Sequence, residues 1–425
     1  MNEIPVKIDS MAFGGNGVTR VEGKVVFIPY TISGEKVWIE IVEEKRSYSI
    51  GKLSRLIEPS PWRIEPRCPY FGICGGCQWQ HISYSAHGEL KKEILREVLK
   101  RIGGLKELPS ITVGSAPDSC GYRVRVQLKL KGNAIGYYQE RSHHIVDIDH
   151  CPISHPLVNH LILFLRKDLP AFSRMQEIEI NVSPEEGKGT CLFHPLSPEQ
   201  KSPNFLKTLD DSILKGFAVV REGGLDLFGN PSLTLTTAFI LRGEEKSVRF
   251  HASPGSFFQV NLKQNQKLVQ TVLEFSDLKG NERVLDLYSG IGNFTLPVAT
   301  GAQEVIGIEE NRRSVKDARF NAENNGIRNC RFLRGKVEEV LKSWSEKPPA
   351  LLILDPPRTG CKTIIDQVAV LKPERIIYTS CEPTTFARDL RLLGERGYSL
   401  DRLALIDMFP QSYHMEVVGL LTPFC

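Results

Sequence analysis

The stretch 284–299, VLDLYSGIGNFTLPVA, constrains the fold more than any other. An apolar run of strand length breaks at a glycine-rich loop, and a helical pattern follows. A second apolar run, Glu304 to Ile308, ends at Glu309, nineteen residues after Gly290. An acid there can bind a ribose diol, while small loop residues let a ligand approach the backbone closely. Such units build a doubly wound, largely parallel sheet. A glycine loop alone also suits a dinucleotide. However, the loop reads Asp286-Leu287-Tyr288-Ser289-Gly290-Ile291-Gly292 rather than GxGxxG. An acid at the strand end repels a pyrophosphate and suits a cationic, phosphate-free ligand such as S-adenosylmethionine.

Further strands of this C-terminal part, 251–425, end in polar groups. Ala350 to Leu354 runs into Asp355-Pro356-Pro357-Arg358, and Ile376-Ile377-Tyr378 stops at Thr379-Ser380-Cys381. Pro383 forbids that strand from continuing. Cys381 therefore lies just past a C-terminal strand tip, where open α/β sheets place their reactive groups. On its own it is as readily a small packed residue as a nucleophile. A helix at 311–325 closes with Asn325-Gly326, and the last strand of a final hairpin begins at Tyr413-His414-Met415-Glu416.

The 425 residues exceed one ordinary core and suit two or three domains. Residues 1–58 carry short alternating runs between turns at Gly14-Gly15-Asn16-Gly17, Glu22-Gly23 and Ser33-Gly34. This predicts a small β-barrel of the OB type. Residues 59–250 form a central α+β unit. It opens with Cys68-x5-Cys74-x2-Cys77, and Cys151 in His150-Cys151-Pro152 is the best fourth ligand. The spacing allows a 4Fe–4S cluster or a four-cysteine zinc site and favours neither. A radical S-adenosylmethionine site is disfavoured, since it needs three cysteines and an open iron.

Leu90, Ile94, Val98 and Ile102 give residues 84–102 a helical apolar face, and this helix is expected against the C-terminal domain. Alternation over 122–138 sets Arg123, Arg125, Gln127, Lys129 and Lys131 on one strand face. From 86 to 131 there are ten Lys or Arg against five acids, which suits a nucleic-acid backbone. Residues 156–250 read as alternating short strands and helices without chemistry. Of the ten cysteines, Cys120, Cys191, Cys330, Cys361 and Cys425 read as packing residues. The N-terminus lacks the basic and apolar regions of a signal peptide, and no apolar run approaches the ~18 residues of a membrane span. A cytoplasmic protein is expected.

Together with Ser256-Phe257-Phe258-Gln259-Val260-Asn261, TSCEPTTFARDL and HMEVV, these stretches resemble the RNA uracil-5-methyltransferase family over nearly the whole chain. The resemblance implies a TRAM-like barrel and a Rossmann-like catalytic domain. It also implies a 4Fe–4S cluster on Cys68, Cys74, Cys77 and Cys151. Gln259, Tyr288, Glu309 and Asp355 would contact S-adenosylmethionine, Cys381 would be the nucleophile and Glu416 the general base. The barrel and cluster resemble the 23S ribosomal RNA branch, and some archaeal transfer-RNA enzymes share the cluster. RNA is the implied partner. One departure is Gly335-Lys336-Val337, where the family often has Gly-Asp-Ala, so no adenine contact is assigned there.

The chemistry accounts for these residue types. Carbon 5 of uracil is a poor nucleophile until a thiolate adds to carbon 6, and a base must then take the carbon 5 proton. Arg358 lies where it could hold a uracil carbonyl. The base must leave its stack to reach a pocket at the sheet edge. An amino-methyltransferase would carry an aromatic residue after Pro-Pro, and a cytosine-5 enzyme a second Cys; Arg358 occupies that place. A non-catalytic RNA-binding or redox protein would leave the C-terminal groups without a role.

Overall fold

The computed structural model describes residues 3–197 and 212–424; Cys425 lies outside them. The N-terminal strands pair into a 6-stranded sheet between Ile4 and Glu58. Its small core is Ile8, Val26, Ile28, Val37 and Ile39.

A 7-stranded sheet forms the centre. Its order is Ile145–Asp147, Ala134–Tyr138, Arg125–Lys131, Met175–Ser183, Lys188–Pro195, Leu214–Arg221 and Gly224–Gly229. One α-helix, Pro156–Arg166, packs on it, and the described remainder to residue 252 is almost all strand. The expected alternation of strands and helices over 156–250 is thus corrected. Its apolar runs pair with one another instead of recruiting helices.

The C-terminal sheet has 8 strands, in the order Cys330–Arg334, Glu304–Glu309, Arg283–Leu287, Leu351–Leu354, Arg375–Ser380, Glu416–Pro423, Tyr398–Ile406 and Ile111–Gly114. The first five run parallel, because each returns through a crossover. Glu416–Pro423 then inserts antiparallel between Arg375–Ser380 and Tyr398–Ile406. Chain order reverses at Arg283–Leu287, so a cleft opens at the carboxyl ends of the central strands.

The edge strand Ile111–Gly114 comes from early in the sequence and pairs with Leu403 to Ile406. The helix Tyr84–Arg101 packs on this strand and on Pro383–Gly394. Residues 84–114 are therefore built into the C-terminal sheet, inside the span 59–250 that the sequence suggests for the central unit. One core runs from Trp79 and this helix across one sheet face, and a second joins the other face to the central sheet. The N-terminal sheet is anchored at Gly15. Its φ is +86°, and a Cβ there would stand 3.1 Å from Tyr413 and 3.2 Å from Trp79. Only glycine allows that approach without displacement.

Candidate active site

A single cleft of about 1940 Å³ runs from the N-terminal sheet, past the cysteine segment, to the strand tips of the C-terminal sheet. Gln259, Tyr288, Glu309, Asp355, Cys381, Glu416 and Arg358 all line it. So do Cys68, Cys74, Cys77 and Cys151. Every site residue singled out in the sequence therefore faces one space.

The glycine loop is tightly turned. Tyr288 takes φ +65° and Gly292 φ +94°. Glu309 closes the loop from the neighbouring strand: Gly290 N donates to its Oε2 at 3.0 Å, and Asn311 N to its Oε1 at 2.6 Å. Its carboxylate is thus held at the strand tip. Asp286 below it is fully buried and accepts from Thr295 Oγ1, an anchor for the loop's far end. Burial pushes its carboxyl up to about 7. The loop leads only into the short helix Thr295–Ala299. Segment 256–261 is fixed from the central sheet: Val124 N donates to Val260 O at 2.9 Å, and Arg125 Nη1 to Ser256 O at 3.2 Å. The Arg125 guanidinium also lies 5.2 Å from the exposed Phe257 ring.

Asp355, Cys381 and Glu416 end or begin three adjacent strands. Thr379 Oγ1 donates to Asp355 Oδ1 at 2.8 Å. Burial pushes Asp355 up to about 6. Glu416 is 3% exposed, and burial followed by the Asp355 charge raises its carboxyl well above the ordinary range. Burial, then the Glu416 charge, pushes the half-buried Cys381 thiol up to about 12. Arg358 opposes both effects. It favours the charged forms of Cys381 and Glu416.

The backbone that carries that guanidinium, 358–361, is held by the helix that follows Cys381. Thr385 Oγ1 donates to Arg358 O at 3.0 Å, Arg388 Nη2 to Thr359 O at 2.9 Å, and Cys361 N to Asp389 Oδ2 at 2.8 Å. Tyr378 OH donates to the same Asp389 oxygen at 2.8 Å, which ties the Cys381 strand into the network. Cys361 is fully buried there and belongs to packing.

The cysteine segment lies further along the cleft. Burial pushes Cys74 up to about 11 and Cys77 up to about 12. The charges of Cys68, Cys74 and Cys151 each reach Cys77. Gly76 N donates to Cys74 Sγ at 3.4 Å. Cys120 does not line the cleft. Among the described residues, no three His, Cys, Asp or Glu side chains converge tightly enough to hold a single metal ion.

The open cationic face expected on 123–131 is corrected. Arg125 Nη2 donates to Glu179 Oε2 at 2.7 Å, Gln127 Nε2 donates to the same oxygen at 3.3 Å, and Lys129 pairs with Glu177. The neighbouring strand supplies the acids in register. Sequence reasoning also passed over His414, which lines the cleft and is pushed down to about 3 by burial and then by Arg358. Lys91 was passed over too. It falls on the buried face of its helix, between His87 and Leu95, and that position was the available signal.

The tRNA (Uracil-5-)-methyltransferase family matches residues 234–423, and the TRAM domain matches residues 2–54. A 23S rRNA (uracil(1939)-C(5))-methyltransferase from Pectobacterium atrosepticum is 34% identical over 98% of this chain and 93% of its own. The chain belongs to the RNA uracil-5-methyltransferase family. An RNA methyltransferase of Aquifex aeolicus is also 34% identical to this uracil-5-methyltransferase, over 99% of both chains. The solved Pyrococcus abyssi tRNA (uracil-54, C5)-methyltransferase, in complex with S-adenosyl-L-homocysteine, superposes with a TM-score of 0.76. It is 25% identical, over 99% of this chain and 100% of that one. No helix among the described residues is long and apolar enough to cross a membrane.

Proposed function

We propose that this uracil-5-methyltransferase methylates a uridine of 23S ribosomal RNA, with Cys381 as nucleophile, Glu416 as general base and S-adenosylmethionine as methyl donor. The carrying observation is that Cys381, Arg358, Asp355 and Glu416 line one cleft of about 1940 Å³ and act on one another's charge. In this reading Glu309 takes the ribose diol, exchanging the Gly290 amide for it, and Gln259, Tyr288 and Asp355 line the donor's place. Bound there, S-adenosylmethionine would supply a methyl group from a sulfonium.

Arg358 favours the Cys381 thiolate, whose sulfur bonds carbon 6 and drives the ring electrons onto oxygen 4. Carbon 5 then becomes nucleophilic enough to take the methyl group. Glu416 removes the carbon 5 proton, the carbon 5–carbon 6 double bond re-forms, and Cys381 leaves as thiolate. The apolar burial that raises Glu416 strengthens it as a base once Arg358 faces its charge.

The four thiols at Cys68, Cys74, Cys77 and Cys151 fit a 4Fe–4S cluster. They share one wall, and a backbone amide already points at a sulfur. Such a cluster has a structural or RNA-positioning role in this reading. Anaerobic purification followed by iron, sulfide and zinc analysis tests it; stoichiometric zinc without iron sinks it.

Ribosomal RNA is favoured by relatives named for it at 34% and 35% identity. The superposition on a transfer-RNA enzyme supports the second target. Mapping 5-methyluridine in both RNAs from cells lacking the gene separates them. For the mechanism, Glu416→Gln should trap a covalent RNA adduct on a denaturing gel, and full activity of Cys381→Ala would refute it.

A further inference from the structure

The chain leaves the C-terminal sheet after Ile406 and returns at Glu416. The segment between forms the cleft wall beside the base and carries the cleft-lining Phe409, Tyr413 and His414. Its carbonyls are taken by distant parts of the chain. Gln264 Nε2 donates to Asp407 O at 3.0 Å, Tyr122 OH to Pro410 O at 2.9 Å, and Trp79 N to Gln411 O at 3.0 Å.

Lys91 does more than any of these. Its side chain is 0% exposed. Its Nζ donates to Asp407 Oδ1 at 2.6 Å, to His414 O at 2.6 Å and to Phe409 O at 3.3 Å. The Trp79 ring covers it at 5.7 Å. One ammonium thus ties the point where the chain departs to the point where it returns, two residues before Glu416. A buried ammonium has no water to turn to, so these acceptors set its place and it sets theirs.

We propose that Lys91 is a positioning residue for the proton-removal step, fixing the wall Asp407–His414 and through it the approach of Glu416 to the carbon 5 proton. The proposal rests on the reading of Cys381 and Glu416 given above. Lys91 acts through the wall that it contacts, at Asp407, Phe409 and His414. A residue that only holds the fold together would slow every step alike. A residue that aims the base slows the last one.

The test is single-turnover kinetics on Lys91→Met combined with Asp407→Asn, which removes both buried charges and keeps their volumes. Adduct formation at Cys381 should stay within about threefold of wild type, while resolution of the adduct slows by about tenfold or more; a 1 Å misplacement can cost about 10²-fold. The RNA–protein adduct then accumulates as it does in Glu416→Gln, with KM for RNA little changed. If both steps fall together, in proportion to the folded fraction seen in thermal melts, Lys91 is structural only and the proposal is overturned. Should the double variant fail to fold, Tyr122→Phe frees Pro410 O of the same wall and must show the same skew at smaller size; an unskewed Tyr122→Phe overturns it. If Glu416→Gln itself traps no adduct, the mechanism above fails and this inference with it.

Discussion

Two sets of desolvated thiols line the same cleft, and they differ in what faces them. Cys381 and Cys77 are both pushed up to about 12, chiefly by burial. Beside Cys381 stands the Arg358 guanidinium, whose charge lowers the thiol and whose backbone segment is tied to three residues of the next helix. Around Cys77 stand further thiols, each raising its cost of ionisation. A buried thiol becomes a thiolate only with a compensating positive charge. At Cys381 the protein supplies such a charge from Arg358. At the cysteine segment one Arg123 charge is shared among Cys74, Cys77 and Cys151, so further compensation would come from outside the chain, as a metal would give it. In the proposed reading the same residue type serves as a nucleophile in one place and a ligand in the other because of its neighbours.

Exchanging the thiol for a methyl group separates the two most sharply. Cys381→Ala should abolish methyl transfer, a loss of about 10⁴-fold or more, with RNA affinity and melting temperature near wild type. Cys77→Ala should instead lower the melting temperature and the bound metal. Parallel loss of stability in both variants would erase the distinction.

Next in size is the cation. Arg358→Met withdraws the charge that lowers the Cys381 thiol, so its ionisation must move to higher pH. Alkylation of Cys381 followed by mass spectrometry across a pH series should show the rising limb displaced upward by about one unit or more. Labelling of Cys77 in the metal-free protein should not move. An unmoved Cys381 limb would mean that Arg358 does not activate it.

The sequence carried the place of Cys381 well and its surroundings poorly. A strand stopped by Pro383 puts Cys381 at a sheet tip whatever the rest of the chain does, and the glycine loop with Glu309 is a local pattern read in one pass. Segment 84–114 shows the limit. Its helical face was plain, yet nothing local says that Ile111–Gly114 pairs with Leu403–Ile406, far along the chain. The basic alternation at 123–131 misled for the same reason. Glu177 and Glu179 lie far away in sequence but in register on the next strand. Lys91 and Asp407 are a long-range pair of this kind, visible only once the sheet is assembled. Local chemistry is legible from spacing; charge compensation is set by pairing register.

The smallest expected effect concerns the acids beside Cys381. Asp355 is pushed up to about 6, and Glu416 is raised well above its usual value, first by burial and then by the Asp355 charge. A carboxyl that holds its proton more tightly folded than unfolded stabilises the fold at low pH and loses that contribution as pH rises through the folded value. The window opens near the unfolded value, about 4, and for Asp355 closes above about 6. Glu416→Gln removes one of the two like charges, so it should match wild type at about pH 4.5 and melt higher at about pH 8. A gain of about 1 kcal/mol there corresponds to roughly 1 °C for a chain of 425 residues. The cysteine segment offers the control. With Cys74 and Cys77 pushed up to about 11 and about 12, they have nothing to titrate between those pH values. Cys77→Ser in the metal-free protein should therefore change the melting temperature equally at both. If Glu416→Gln also shifts it equally at both, the buried acids do not carry the strain assigned to them, and the Glu416 side of the cleft is no more costly to build than the cysteine segment.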